Sequence, residues 1–235
     1  MENQTMFRLV VVLIISCMSL SSFAQKPKNP AFLPPKSIQS DLPNVLIIGD
    51  SISIGYMLPL RKKLDGVANV FRPTTNCGPT IRGLEQLDSW LGDRKWDLIQ
   101  WNHGLHDLKY MGPKGENLSD PDDATSHQQV PPKEYEKNLH TLTKRLKKTG
   151  ATLVFCETTP VPEGAGGRVV GDSKKYNAIA QRVMREENVA INTLFDFASE
   201  NVPTRPANVH YTSENSEKLA AFLAADIKKR LAQHR

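Results

Sequence analysis

The chain is short of several features that would mark a specialised class. Three cysteines in 235 residues cannot make a disulfide scaffold. Its charge has no dominant sign: 30 basic and 25 acidic residues give a formal net charge of +5 and are scattered along the sequence. With no basic stripe, nucleic acid is not an expected partner. Beyond the N-terminal segment, no apolar run approaches the roughly 20 residues a membrane-spanning helix needs, so no integral membrane segment is expected in the mature chain. The glycines lack the spacing of a dinucleotide site, no P-loop lysine is present, and no internal repeat is visible. What remains is 39% hydrophobic and 23% charged, enough apolar material for one sizeable core and a single domain.

The first residues read as a targeting segment. Arg8 precedes an apolar run over 9–15, and Ser22-Phe23-Ala24 supplies small residues for a cut after Ala24. This pattern is that of a secretory signal peptide over 1–24, implying a secreted or periplasmic protein. A rival reading takes Ile14-Ile15-Ser16-Cys17 as a lipoprotein box anchoring the chain at Cys17, but apolar residues continue past that cysteine. Residues 25–43 hold five prolines and form an expected extended leader, leaving 44–235 as the domain. Cys77 and Cys156 then face an oxidising compartment. The expected strand order puts them about 14 Å apart, beyond the roughly 7 Å between Cα atoms that a disulfide allows.

Strand-like and helix-like segments alternate through the domain. Strands are expected at 44–48 (NVLII), 67–71, 97–101 (DLIQW), 151–156 (ATLVFC) and 189–191. Helices are expected at 54–64, 80–91, 133–149, after a cap at Asp172, and from 213 to about 233. The predicted fold is a three-layer, flavodoxin-like α/β sandwich: a five-stranded parallel sheet with helices on both faces. Ligands in such folds bind beyond the carboxyl ends of the strands, so the loops after the first three strands are where chemistry is sought. One loop, 111–132, is long and polar, and reads equally as a substrate lid or a surface insertion.

The first strand runs into Gly49-Asp50-Ser51-Ile52-Ser53-Ile54-Gly55, which sets Ser51 at a strand-to-helix turn where a helix N-terminus favours developing negative charge. Asn76-Cys77-Gly78 follows the second strand, and Asn102-His103-Gly104-Leu105-His106-Asp107 the third. Asn208-Val209-His210 precedes the last helix. In this order and placement the blocks resemble those of the SGNH (GDSL-type) hydrolases, over essentially the whole domain. The third block is similar to an Asn-x-Gly-Leu-His-Asp string found in a bacterial secreted subgroup of that family. The resemblance implies Ser51 as nucleophile, His210 as base, Gly78 as an oxyanion-hole N–H donor, and no cofactor.

Two departures from the family pattern matter. His106 stands where the oxyanion asparagine is expected, so either His106 or Asn102 is the side-chain donor. The family motif Asp-x-x-His has Ala207 in place of its acid, and Asn208 is not an acid either. Asp196 and Asp107 are the candidate replacements; otherwise Ser51 and His210 act as a dyad. A metal reading of His103, His106 and Asp107 is the weaker one, for want of a fourth ligand. The expected activity is serine ester hydrolysis, removing a small acyl group such as acetyl from a small-molecule or glycan substrate, with Trp101, His103 and Tyr110 flanking the nucleophile. The alternative is a non-catalytic glycan-binding or scaffold protein on the same fold, supported by the missing acid.

Overall fold

The computed structural model describes residues 29–233; the expected signal peptide and Cys17 lie outside them. In chain order the elements are β1 (Asn44–Ile48), α1 (Ser51–Lys63), β2 (Asn69–Phe71), α2 (Thr80–Leu91) and β3 (Leu98–Trp101). Then come β4 (Tyr110–Met111), β5 (His127–Gln128), α3 (Pro132–Lys147) and β6 (Thr152–Cys156). The chain finishes with α4 (Asp172–Glu186), β7 (Ala190–Asn192), α5 (Leu194–Asn201) and α6 (Ser213–Gln233).

Five parallel strands lie in the order β2-β1-β3-β6-β7. The apolar runs that suggested strands buried on both faces are so placed: Val45 to Ile48, Leu98 to Trp101 and Val154 to Cys156 are all within 2% of full burial. Helices α1, α5 and α6 pack together on one side, and α2, α3 and α4 on the other. The connection from β1 runs to β2 on one side and that from β3 to β6 on the other, so the crevice beyond the carboxyl ends of β1 and β3 is the topological switch point. Both the Ser51 turn and the Asn102 block open there.

Local chemistry explains where boundaries differ from the sequence reading. Helix α1 begins at Ser51 and not three residues later, because the Asp50 carboxylate accepts the Ile52 N–H at 2.9 Å and caps it. Asp172 is the first residue of α4, not its cap; Gly171, in the left-handed region, holds that position. Helix α5 has no counterpart in the sequence pattern, because its eight residues are too few to show a periodicity.

The loop at 111–132 is an ordered excursion on a two-stranded antiparallel ladder, with Tyr110 opposite Gln128 and Met111 opposite His127. The leader is not a free extended arm in its described part. Pro30–Phe32 form a short 3₁₀ turn, and Gln39 exchanges hydrogen bonds with the Asn69 side chain at 2.8–2.9 Å. Cys77, in the segment after β2, and Cys156, at the end of β6, are both free and buried. Among the described residues no helix is long and apolar enough to cross a membrane.

Candidate active site

Ser51 opens α1 directly beyond β1, where its own N–H has no intrahelical acceptor. The turn is held from beneath. Ser53 donates its hydroxyl to the Asp50 carbonyl at 2.6 Å and accepts from the Arg72 guanidinium at 2.9 Å. Arg72 also donates to the carbonyls of Gly49 and Thr75, both at 3.2 Å, and so ties the nucleophile turn to the segment after β2. Gly49 leaves room for this packing, since a Cβ there would press on the Ser53 hydroxyl. Nothing in the motif reading pointed to Arg72; its role rests on contacts across 19 and 23 residues.

His210 comes to Ser51 from the far end of the chain. Its Nε2 lies 2.8 Å from the Ser51 hydroxyl oxygen. Its Nδ1 lies 2.7 Å from Asn208 Oδ1, and the same oxygen accepts the His210 backbone N–H at 2.9 Å. That backbone contact decides which end of the amide faces the ring, because an N–H can only donate and so must meet the oxygen. The ring therefore carries its proton on Nδ1 and offers the Nε2 lone pair to Ser51. The bend that makes this possible has Ala207 in the left-handed region, with Asn208 N–H donating to Arg205 O and Arg205 N–H to His210 O.

The two acids considered as replacements stand elsewhere. Asp196 is exposed on the first turn of α5. Asp107 is fully buried and accepts both the N–H and the hydroxyl of Thr80, at 2.8 and 2.6 Å. It thereby caps α2, whose N-terminus has no side-chain cap of its own, as Pro79 occupies that position. The position at His210 is filled by the Asn208 amide, which sequence spacing passed over because it is neutral and lies two residues before the histidine.

The oxyanion-side residues divide. Asn102 donates its amide to Cys156 O at 2.8 Å and to Thr158 Oγ1 at 3.3 Å, bridging the ends of β3 and β6. Both its hydrogens are thus taken by the scaffold. The Gly78 N–H is donated to Asn76 Oδ1 at 3.0 Å in an Asx turn, so in this conformation it does not face a ligand. His106 is partly buried and makes no hydrogen bond among the described residues; burial lowers its pKa to about 4, so the ring is neutral and one N–H is free to donate. The charges of Asp50 and Arg168 act on both His106 and His210.

His103 has a different task. Its buried Nδ1 donates to Gly78 O at 2.9 Å, while its own carbonyl accepts from Tyr135 and Thr158 at 2.8 and 3.1 Å. Among the described residues no group of three or more His, Cys, Asp and Glu is set to hold a metal ion. Trp101, expected beside the nucleophile, is a core residue packed edge-to-face on Phe155 with ring centroids 5.6 Å apart. Of the three flanking residues only Tyr110 keeps partial exposure.

His210 has its pKa lowered, first by burial and then by repulsion from Arg168 and Arg205, against the pull of Asp50. A neutral imidazole, hydrogen-bonded to a hydroxyl at a helix N-terminus, is equipped to take the hydroxyl proton at neutral pH.

No protein-family model matches the chain. An arylesterase of Vibrio mimicus is 24% identical over 242 residues, spanning 96% of this chain and 100% of its own. Among solved structures, a lipase/acylhydrolase from Enterococcus faecalis superposes with a TM-score of 0.63 at 16% identity, over 80% of this chain and 97% of that one. An acetylxylan esterase from Geobacillus stearothermophilus gives 0.61 at 14%, over 79% and 94%. The likeness to these solved structures is one of fold.

Proposed function

We propose that the protein is a serine ester hydrolase in which Ser51 attacks an acyl carbonyl while His210 takes its proton. The single observation that carries this reading is the chain of contacts from Ser51 Oγ to His210 Nε2 and from His210 Nδ1 to Asn208 Oδ1, at 2.8 and 2.7 Å. Asn208 supplies the orientation that a carboxylate would, because its oxygen holds the productive tautomer. It does not supply the negative charge that stabilises an imidazolium, so turnover is slower than with an acid in that place. The Ser51 N–H and the His106 ring N–H hold the tetrahedral oxyanion, and the Gly78 N–H joins them when the Asn76 side chain turns away. Water then releases the acyl group with His210 again as base. No metal or organic cofactor takes part.

The acyl group is small, such as acetyl, and is carried on a carbohydrate by a secreted or periplasmic enzyme. Support comes from the polar residues around the crevice, from the N-terminal targeting pattern, and from the arylesterase and acetylxylan esterase relatives. A non-catalytic scaffold on this fold was suggested only by the lost acid, and Asn208 now stands in its place. Ser51→Ala is expected to abolish hydrolysis of 4-nitrophenyl acetate and labelling by a fluorophosphonate. A variant that keeps the wild-type rate would overturn the assignment. Acetate release from O-acetylated xylo-oligosaccharides should exceed fatty-acid release from decanoyl esters; the reverse order would remove the carbohydrate reading alone.

A further inference from the structure

The crevice is bordered by cations that have no acidic partner. Arg168, on the loop between β6 and α4, is partly buried and donates through Nε to Leu105 O at 3.1 Å, which places it beside His106. Lys109 is largely buried and donates to the neutral Asn117 Oδ1 at 2.6 Å. Arg82, on the first turn of α2, donates to Asn76 O at 3.0 Å and lies over Gly78, within 3.6 Å of where a Cβ on that glycine would be. Arg82 and Arg168 are thus tethered to neutral oxygens of the segments that carry Gly78 and His106, and Lys109 to one of the 111–132 loop. None of them is among the nine ion pairs of the described residues.

The charges act on one another through Lys109, while Arg168 is drawn toward Asp50. The pKa of Lys109 is lowered, chiefly by burial and then by Arg168 and Arg82, with Asp107 pulling the other way. The acids nearby are already committed. Asp50 caps α1, Asp107 caps α2, and Asp172 is shared by Lys175 and Gln128 at 2.9 and 3.0 Å. Holding like charges together at a partly desolvated wall is unfavourable unless something negative arrives there. Guanidinium groups also present paired N–H donors suited to a carboxylate or sulfate.

Resting on the esterase reading above, we propose that Arg168, seconded by Arg82 and Lys109, makes this site select esters that carry an anionic group, a carboxylate or a sulfate, near the scissile bond. For a carbohydrate substrate this means acyl groups on acidic sugars in preference to those on neutral ones. The anion occupies the wall between the Asn102 block and the 157–171 loop, while the ester carbonyl lies at Ser51.

Three aryl acetates test this: 4-acetoxybenzoate, 4-acetoxybenzenesulfonate and the neutral N-methyl-4-acetoxybenzamide. Each kcat/KM is divided by that ester's hydroxide-catalysed rate. At low ionic strength at least one anionic ester is expected to be preferred about tenfold, and the preference should shrink as salt rises. The anion preferred tells a carboxylate from a sulfate, for which the sulfonate stands in. Arg168→Gln should lower the anionic-to-neutral ratio by about tenfold and Arg82→Gln by less. Lys175→Gln, on the surface, should leave it unchanged. Because both rates come from one protein, partial misfolding cancels in the ratio. A wild-type ratio near one, or a ratio that neither arginine variant moves, overturns the proposal and leaves the esterase reading standing. Absence of hydrolysis of all three esters would overturn the esterase reading itself, and this proposal with it.

Discussion

At the scale of single residues, an amide does the work of orienting His210. Because the His210 backbone N–H compels Asn208 to present its oxygen, the usual penalty of an amide beside a catalytic histidine, a wrong tautomer, does not arise. Asn208→Asp keeps the geometry and adds charge. It is expected to raise the plateau kcat by about tenfold and to move the acid limb of the pH–rate profile upward, since a carboxylate favours the protonated ring. In the wild type the limb should lie below the usual imidazole value near 6.5, because burial and the two arginines depress His210. Activity is thus retained to lower pH and lost only once the ring is protonated. A limb at or above that value would contradict the proposed environment. His106→Ala should lower kcat by about 10²-fold with little change in KM, the mark of a donor that acts mainly in the transition state. A loss confined to KM would place His106 in substrate binding instead.

At the scale of elements, the third block works as a clamp. Asn102, His103 and Asp107 point in three directions, to β6, to the segment after β2 and to α2, and each ties the block to one of them. Gly104 is needed where the block passes Thr158, because a Cβ there would collide with the threonine hydroxyl. Gly104→Ala is expected to cost about 1–3 kcal/mol in a denaturant titration, as overpacking does; an unchanged midpoint would mean the contact yields freely. Burial raises the Asp107 carboxyl to about 7, although the two Thr80 hydrogen bonds pull it down. In the unfolded chain an aspartate titrates near 3.9. The folded state therefore keeps the proton longer, and the stability this group contributes is full below about pH 4 and lost as the pH rises to about 7. Melting temperatures of the wild type should fall more steeply over that window than those of Asp107→Asn. Equal slopes would show that Asp107 is ionised throughout.

At the scale of the whole molecule, the sheet order keeps the two cysteines apart and buries both. Burial pushes the Cys77 thiol up to about 11 and the Cys156 thiol up as well. Neither should react with a thiol reagent in the native protein, and both should be modified after unreduced denaturation. Modification of Cys77 at a native rate would mean that the Asn76–Gly78 segment opens. The same sheet order puts β1 and β3 side by side with Ser51 and the Asn102 block above them, which is why a chain with contacts across 159 residues has one reaction centre.

Much of this was legible in the sequence. Alternating apolar runs and helical periodicities specify a parallel sheet between two helical layers, because each segment has only one way to bury its apolar face. The order of the Ser51, Gly78, His106 and His210 blocks followed, since each sits at the end of an element that the pattern reveals. The tertiary structure alone decided which polar atoms meet. It turned Asn102 and His103 into braces, moved Asp107 to a helix end, brought Asn208 to His210, and left Arg168 outside the ion pairs of the described residues. Those outcomes depend on hydrogen-bond partners dozens of residues away, and a linear pattern holds no information about distances of a few ångströms across a fold.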